Sequence, residues 1–552
     1  MKSTRSKLKI KFILVLFFGI FFFATNSQAA TVFYVIPTDD PTCLVNGDGT
    51  TNQCAQGAGQ PGYWRGFSNI QWGSGVSQLG GNKTPYLIGG KIYKENLVFP
   101  EIGSGQDAAH PLTVTVFGSG AAVLDVDFTP NKSGIVFEYG ALHDIVIDGV
   151  RGNAVNGNYD YGLKIVNIAE DPDHQCCYGV LQNTAGNKNI KVLHLDISSS
   201  VHTCREATND PGNYGWHENP LAAIRMIDTS LGENTGLEIA YNWIHGTDCT
   251  DRGTYWITSG IRAGWGGATS GYTNTLIHHN RIECIGADGI TGANYASIYN
   301  NVIKNIGTNV GQCGAGSVHP DALEGGGASH LLFYNNYFDV SGQSIYLPRD
   351  FSGTSSDIWI FNNVSIAKGG KALSIGGNGG TNTDIKVFNN TFADSSTPAG
   401  FNADHPPTGL NIQNNIFGNV YDQILVGLYN FESQIVGMDY NAYTDESSSY
   451  PRIIGADGSI YTLNEWQGLG REPHSRIARP IFNSDYSLTS ANISSIDGGN
   501  NLSQYCSLVP PLCFDKNGIA RPQGSGWDIG AYEYVEGGDT TPPAAPSGLA
   551  VK

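Results

Sequence analysis

The chain has 552 residues, of which only 14% are charged, with 72 glycines and a formal net charge of −18. So acidic a balance excludes nonspecific nucleic-acid binding as its function, and an anionic polymer needs a local basic patch or a bound cation to approach it. Lys2, Arg5, Lys7, Lys9 and Lys11 precede an apolar run from Phe12 to Ala24, and Ser27-Gln28-Ala29 follow, so residues 1–29 read as a secretory signal peptide. Its removal takes the net charge to about −23, from −18 minus 5. No later run approaches the roughly 20 apolar residues that cross a bilayer, so the expectation is a secreted, monomeric protein without membrane insertion. The ten cysteines are even in number and in an exported context read as disulfides rather than metal ligands. Cys43 with Cys54 and Cys506 with Cys513 are the local pairs; connectivity among the other six stays open.

In chain order, HDIVIDGV from His143 and IKVLHLDIS from Ile190 are short alternating apolar segments followed by Asp. A sharper repeat then begins: YNWI at Asn242, HNRI at Asn280, NNVI at Asn301, NNYF at Asn336, NNVS at Asn363, NNTF at Asn390 and NNIF at Asn415. Successive asparagines are 38, 21, 35, 27, 27 and 25 residues apart, so a turn of about 21 residues is decorated with insertions. Strands with an amide at the same turn of every repeat predict an all-β chain, a single-stranded parallel β-helix in which stacked asparagines satisfy one another. The two upstream segments are expected to join this column with Asp in the Asn place.

A second column aligns on an inward apolar residue: Leu163, Ile224, Ile261, Ile290, Leu323, Ile345 and Leu373. Because strand side chains alternate, the next residue should face out, giving Lys164, Arg225, Arg262, Thr291, Glu324, Tyr346 and Ser374. Two places earlier, at the strand entrance, stand Tyr161, Ala222, Ser259, Asp288, Asp321, Gln343 and Lys371. In this register Asp288 and Asp321 stack on adjacent rungs, about 4.8 Å apart. Two carboxylates at that distance share a proton, share a cation or are neutralised by a basic neighbour. Glu324 lies beside them and Arg225 and Arg262 on the rungs before. Lys164, His319, Tyr346 and Arg349 are the further candidates for substrate contact.

The segment KIYKENLVFPEIGSGQDAAHPLTVTVFGSGAAVLD resembles the N-terminal coil of secreted bacterial right-handed parallel β-helix proteins, and DKNGIARPQGSGWDIGAYEY (515–534) resembles their closing motif. The resemblance implies one solenoid over residues 30–535 with an N-terminal cap and a C-terminal closing segment. EGGDTTPPAAPSGLAVK, within residues 536–552, resembles the Thr/Pro-rich lead-in to a fibronectin type III module.

Proteins of this kind include polysaccharide lyases, glycoside hydrolases and noncatalytic adhesins, so three readings stand. In the lyase reading, Asp288, Asp321 and Glu324 hold Ca2+ against a uronate carboxylate, and Arg262, Arg225 or Lys371 takes the proton for β-elimination. In the hydrolase reading Asp288 and Asp321 are the carboxylate pair; GADGI followed one rung later by HPDAL resembles polygalacturonases, with their Asn-Thr-Asp-Gly and an Asp on the next coil. The third is a glycan-binding surface solenoid. An arginine row beside an acidic cation site suits an extended anionic polysaccharide, which favours the lyase.

Overall fold

A computed structural model describes residues 31–537 apart from internal stretches, the longest being 200–221, 307–319 and 247–256. The signal-peptide and linker expectations therefore lie outside the described residues.

The chain winds as a right-handed parallel β-helix whose coils each lay one strand in each of three long sheets, of 14, 13 and 10 strands among the described residues. Pairing between successive coils is parallel throughout these sheets. One rung, for example, runs Asp321–Glu324 in the 10-stranded sheet, Ser329–Tyr334 in the 14-stranded sheet and Tyr337–Val340 in the 13-stranded sheet. Inward residues of all three sheets form one apolar column of stacked Ile, Leu, Val and Phe, most of them fully buried. Each coil covers the apolar face of the next, which is how a solenoid stabilises units that could not fold alone.

At the corner between the 14- and 13-stranded sheets the asparagines stack as expected. From Asn242 through Asn280, Asn301, Asn336, Asn363 and Asn390 to Asn415, each side-chain amide donates to the carbonyl oxygen of the next at 3.0 Å. The same oxygen also accepts the backbone N–H of the preceding asparagine. The column runs one rung further, to Asn441, and ends on Glu472 and Ser475. Upstream it ends differently from expectation. Leu195, not Asp196, stands in the ladder position and donates its N–H to Asn242; Asp196 pairs with Trp243, one position past the ladder, and Asp148 with Leu193, two positions before it. An Asp in that buried place would lack the amide donor that passes the chain of bonds along.

The 10-stranded sheet uses the repeating pattern x-small-apolar-x. A Cβ at Gly289 would lie 2.5 Å from the carbonyl oxygen of Ala322 and 2.9 Å from Cδ1 of Ile303, and Gly260 is crowded by Gly289 and Ile282 in the same way. The small residue therefore lets this sheet close against the isoleucine column of the 13-stranded sheet.

The last part of the chain carries a short helix, α1 (Leu463–Gly468), with a capping box between Thr462 and Glu465, and then folds back over the outside of the coils. Leu502, Val509, Leu512 and Trp527 pack on Trp359, Phe361 and Phe388 of the 14-stranded sheet. Disulfides join Cys43 to Cys54 and Cys506 to Cys513, the two local pairs expected from spacing. Cys284 is also disulfide-bonded.

Candidate functional site

The outward face of the 10-stranded sheet follows the register read from sequence over six rungs. Ile224 pairs with Ile261, Ile261 with Ile290, Ile290 with Leu323, Leu323 with Ile345 and Ile345 with Leu373. That places Arg225, Arg262, Thr291, Glu324, Tyr346 and Ser374 in one column, and Ala222, Ser259, Asp288, Asp321, Gln343 and Lys371 in the other. Asp288 lies directly over Asp321. The backbone N–H of Asp321 donates to Asp288 Oδ1 at 3.2 Å.

Lys164 does not belong to this face. Its strand, Leu163–Val166, lies in the 13-stranded sheet between Ala122–Asp125 and Leu195–Ser199, and its ammonium is 2.6 Å from Asp196 Oδ2. Burial alone would raise the Asp196 pKa, but hydrogen bonds from His245 and Lys164 outweigh it and hold the carboxyl below its ordinary value. The mistaken rung has a plain cause: Tyr-Gly-Leu-Lys at 161 satisfies the x-small-apolar-x pattern as well as Tyr-Gly-Val-Leu at 178 does. Only the latter pairs with Ala222 and Ile224, so Tyr178 and Leu181 replace Tyr161 and Lys164 in the two columns.

That correction brings in a residue the sequence reading missed. Tyr178 is buried, accepts a 2.7 Å hydrogen bond from the Arg225 guanidinium, and lies with its ring 5.3 Å from Arg225 Cζ. Arg225 is itself buried and shares its column with Arg262 one rung on. Burial first, and then the neighbouring Arg225 charge, pulls the Arg262 pKa down to about 10, while Glu324 and Asp288 pull it back up.

Beyond the arginines lie the acids. Asp288, Asp321 and Glu324 each offer a carboxylate oxygen within 4.8 Å of the others, the one such group of three among the described residues. Asp321 is fully buried and the other two are half-buried. Beside Glu324 on the preceding rung, the hydroxyl of Thr291 is buried without a hydrogen-bond partner among the described residues. Three hard oxygen donors with a spare hydroxyl next to them are a donor set that fits a calcium-sized cation. Tyr346 follows Glu324 on the next rung, and Lys371, exposed, stands two rungs beyond Asp321 in the entrance column. His319 and Arg349 lie outside the described residues.

No known family profile matches the chain, and neither does any curated protein. Among solved structures it is similar to pectate lyase Pel9A, at 12% identity and a TM-score of 0.44, covering 91% of this chain and 96% of that one. It is similar to the PL6 family alginate lyase AlyGC at 13% identity and a TM-score of 0.36, covering 86% and 58%. It is also similar to the surface adhesin PfbA of Streptococcus pneumoniae at 12% and 0.37, covering 69% and 91%. These likenesses are ones of coil architecture; the chemistry rests on this chain's own residues.

Proposed function

We propose that the protein is an exported enzyme that cleaves an extended, uronate-containing polysaccharide by β-elimination on the outer face of the 10-stranded sheet. The observation that carries this reading is the meeting of two guanidinium rungs, Arg225 buried and Arg262 half-buried, with a three-carboxylate cluster on one face. A neutral glycan needs neither group; an anionic one uses both.

Asp288, Asp321 and Glu324 are the residues that would hold Ca2+, which when bound supplies positive charge to a substrate carboxylate and so acidifies the adjacent carbon. Without a cation, three carboxylates this close repel one another. Arg225, braced by Tyr178, faces the same carboxylate as an anion anchor. Arg262 takes the proton from C5 of the uronate; the C5–H electron pair becomes the C4–C5 double bond, the C4–O4 bond breaks, and the leaving oxygen is protonated from solvent. A guanidinium is an effective base only if its pKa is brought toward the working pH, and Arg262 is the basic group here that burial and a like charge bring down. Lys371, exposed and two rungs from Asp321, together with Tyr346 and Ser374, continues the face in the other direction as substrate contacts.

Incubation with pectic, alginate and glycosaminoglycan polymers, with and without a chelator, tests the reading. Ultraviolet absorbance from an unsaturated sugar, abolished by the chelator, is the expected result. Reducing ends without that absorbance would assign Asp288 and Asp321 to a hydrolase instead, and neither signal would leave a binding solenoid. The pH profile is a sharper check. Because the basic form of Arg262 is a small fraction below its pKa, kcat/KM should rise about tenfold per pH unit through the neutral and mildly alkaline range and level off toward about pH 10. A bell-shaped optimum near neutrality would remove Arg262 from the role of base.

A further inference from the structure

A second feature lies on the same rungs as this site. Where the coils turn from the 10-stranded into the 14-stranded sheet, one residue in each of nine successive rungs has a left-handed φ: Asp144, Asn189, Gly236, Asn274, Tyr295, His330, Asp357, Asp384 and Gly409. The pairings on either side keep them in one column. Gly, Asn and Asp are the residues this column otherwise uses; these and His adopt that conformation most readily, and a tyrosine pays more for it. The column breaks its own rule at two adjacent rungs only, with Tyr295 at φ 47° and His330 at φ 55°. Those two rungs are the ones that carry Asp288, at the entrance to its strand in the 10-stranded sheet, and then Asp321 and Glu324.

Packing does not return the cost of placing a tyrosine there. Tyr295 is 39% exposed and the His330 side chain 52%. Instead the two rings stack on each other, with centroids 4.7 Å apart and planes 27° apart. His330 is held in place from behind: its Nδ1 lies 2.7 Å from Asp357 Oδ2, and Asp357 Oδ1 is fixed by the Trp359 indole N–H at 2.9 Å. That arrangement puts the Nδ1 proton on the carboxylate side, so His330 Nε2 and the Tyr295 hydroxyl are polar groups at the surface without an intramolecular partner among the described residues. At the opposite corner His194, Tyr241 and His279 also sit at left-handed φ, but there the rings pack into a continuous cluster that does not border the 10-stranded sheet.

Strain retained at an exposed tyrosine, on the rungs that carry the acid cluster, points to function rather than stability. We infer that Tyr295 and His330 form a sugar-stacking subsite at the corner between the 10- and 14-stranded sheets, taking a pyranose ring of the bound polysaccharide against the aromatic pair with its hydroxyls on His330 Nε2 and the Tyr295 hydroxyl. An amphipathic ring with an apolar face and polar edge is the surface such a sugar fits. The inference rests on the polysaccharide reading but not on elimination.

Its test is affinity electrophoresis of the full chain in gels containing polygalacturonate, alginate or chondroitin sulfate, comparing wild type with Tyr295→Asn, His330→Asn and Tyr295→Phe. Asn is the residue the same column uses at Asn274, so the first two variants should fold with a melting temperature equal to or above that of wild type. On the polymer that retards wild type, Tyr295→Asn should weaken binding about tenfold, His330→Asn less, and Tyr295→Phe least. Retardation of Tyr295→Asn equal to wild type would overturn the subsite while leaving the proposed chemistry standing. Loss of binding in Tyr295→Asn without any unsaturated product from wild type would support the subsite and sink the elimination. Wild type that binds none of the polymers would overturn both.

Discussion

The Asp321→Asn variant is expected to lose turnover by about 10³-fold or more while folding at least as well as wild type. Asp321 is fully buried and stacked on Asp288, with Glu324 completing a trio whose ligand atoms lie within 4.8 Å of one another. The amide is isosteric, and the backbone bond from Asp321 N–H to Asp288 does not involve the side chain being changed. What changes is charge. In a chelator, removing one of three crowded carboxylates relieves repulsion, so Asp321→Asn should melt at a higher temperature than chelated wild type. On adding calcium the order should reverse, because only wild type gains binding energy in its folded state. Glu324→Gln should repeat the pattern. A fully active Asp321→Asn, or a wild type whose melting temperature ignores calcium, would sink the cation-site assignment and leave the carboxylates as turn caps.

The largest stability effect is expected in the closing segment. Arg521 is buried and donates to Glu533 Oε1 at 2.7 Å, to the Gly530 carbonyl at 2.9 Å and to Asn362 Oδ1 of the coil beneath at 3.2 Å. Glu533 in turn accepts the backbone N–H groups of Asp528 and Gln523. Arg521→Leu leaves that carboxylate buried and unpaired, which costs about 3–5 kcal/mol. Because a solenoid can lose one end without unfolding throughout, the loss should show first as proteolysis within residues 499–537, and then as a lower melting temperature. Replacing Arg521 and Glu533 together by Leu should recover part of the loss, since the cost lies in the orphaned charge more than in the missing pair. An Arg521→Leu protein with wild-type melting and an uncut closing segment would show that the network is dispensable.

Much of the frame was legible because buried position dictates residue type. A side-chain amide is the group that both accepts from the rung before and donates to the rung after, so the ladder writes Asn at Asn280, Asn301 and Asn336 whatever the loops between them do. The x-small-apolar-x strands are equally forced, by the isoleucines that crowd Gly260 and Gly289, and they place Asp288, Asp321, Glu324, Arg225 and Arg262 on one face. The same rule misled at Lys164, since Tyr-Gly-Leu-Lys meets the local requirement and only strand order shows that it belongs to another sheet. Tyr178 was lost with it. Tyr295 and His330 were not legible, because what marks them is a backbone angle and a comparison with Asn274 and Gly236 on neighbouring rungs.

The asparagine ladder has one more consequence. Its amide bonds measure 3.0 Å whether 21 residues separate the partners, as from Asn280 to Asn301, or 38, as from Asn242 to Asn280. Pitch is therefore decoupled from the length of chain spent on each turn. Loops can be lengthened, shortened or exchanged between coils as independent parts, while groups on different rungs keep their spacing as marks on a ruler do. For an engineer this makes the molecule a graduated scaffold: a charge moved from one rung to the next shifts by a fixed step along the axis, and the reach of the groove can be retuned without rebuilding the frame that holds it.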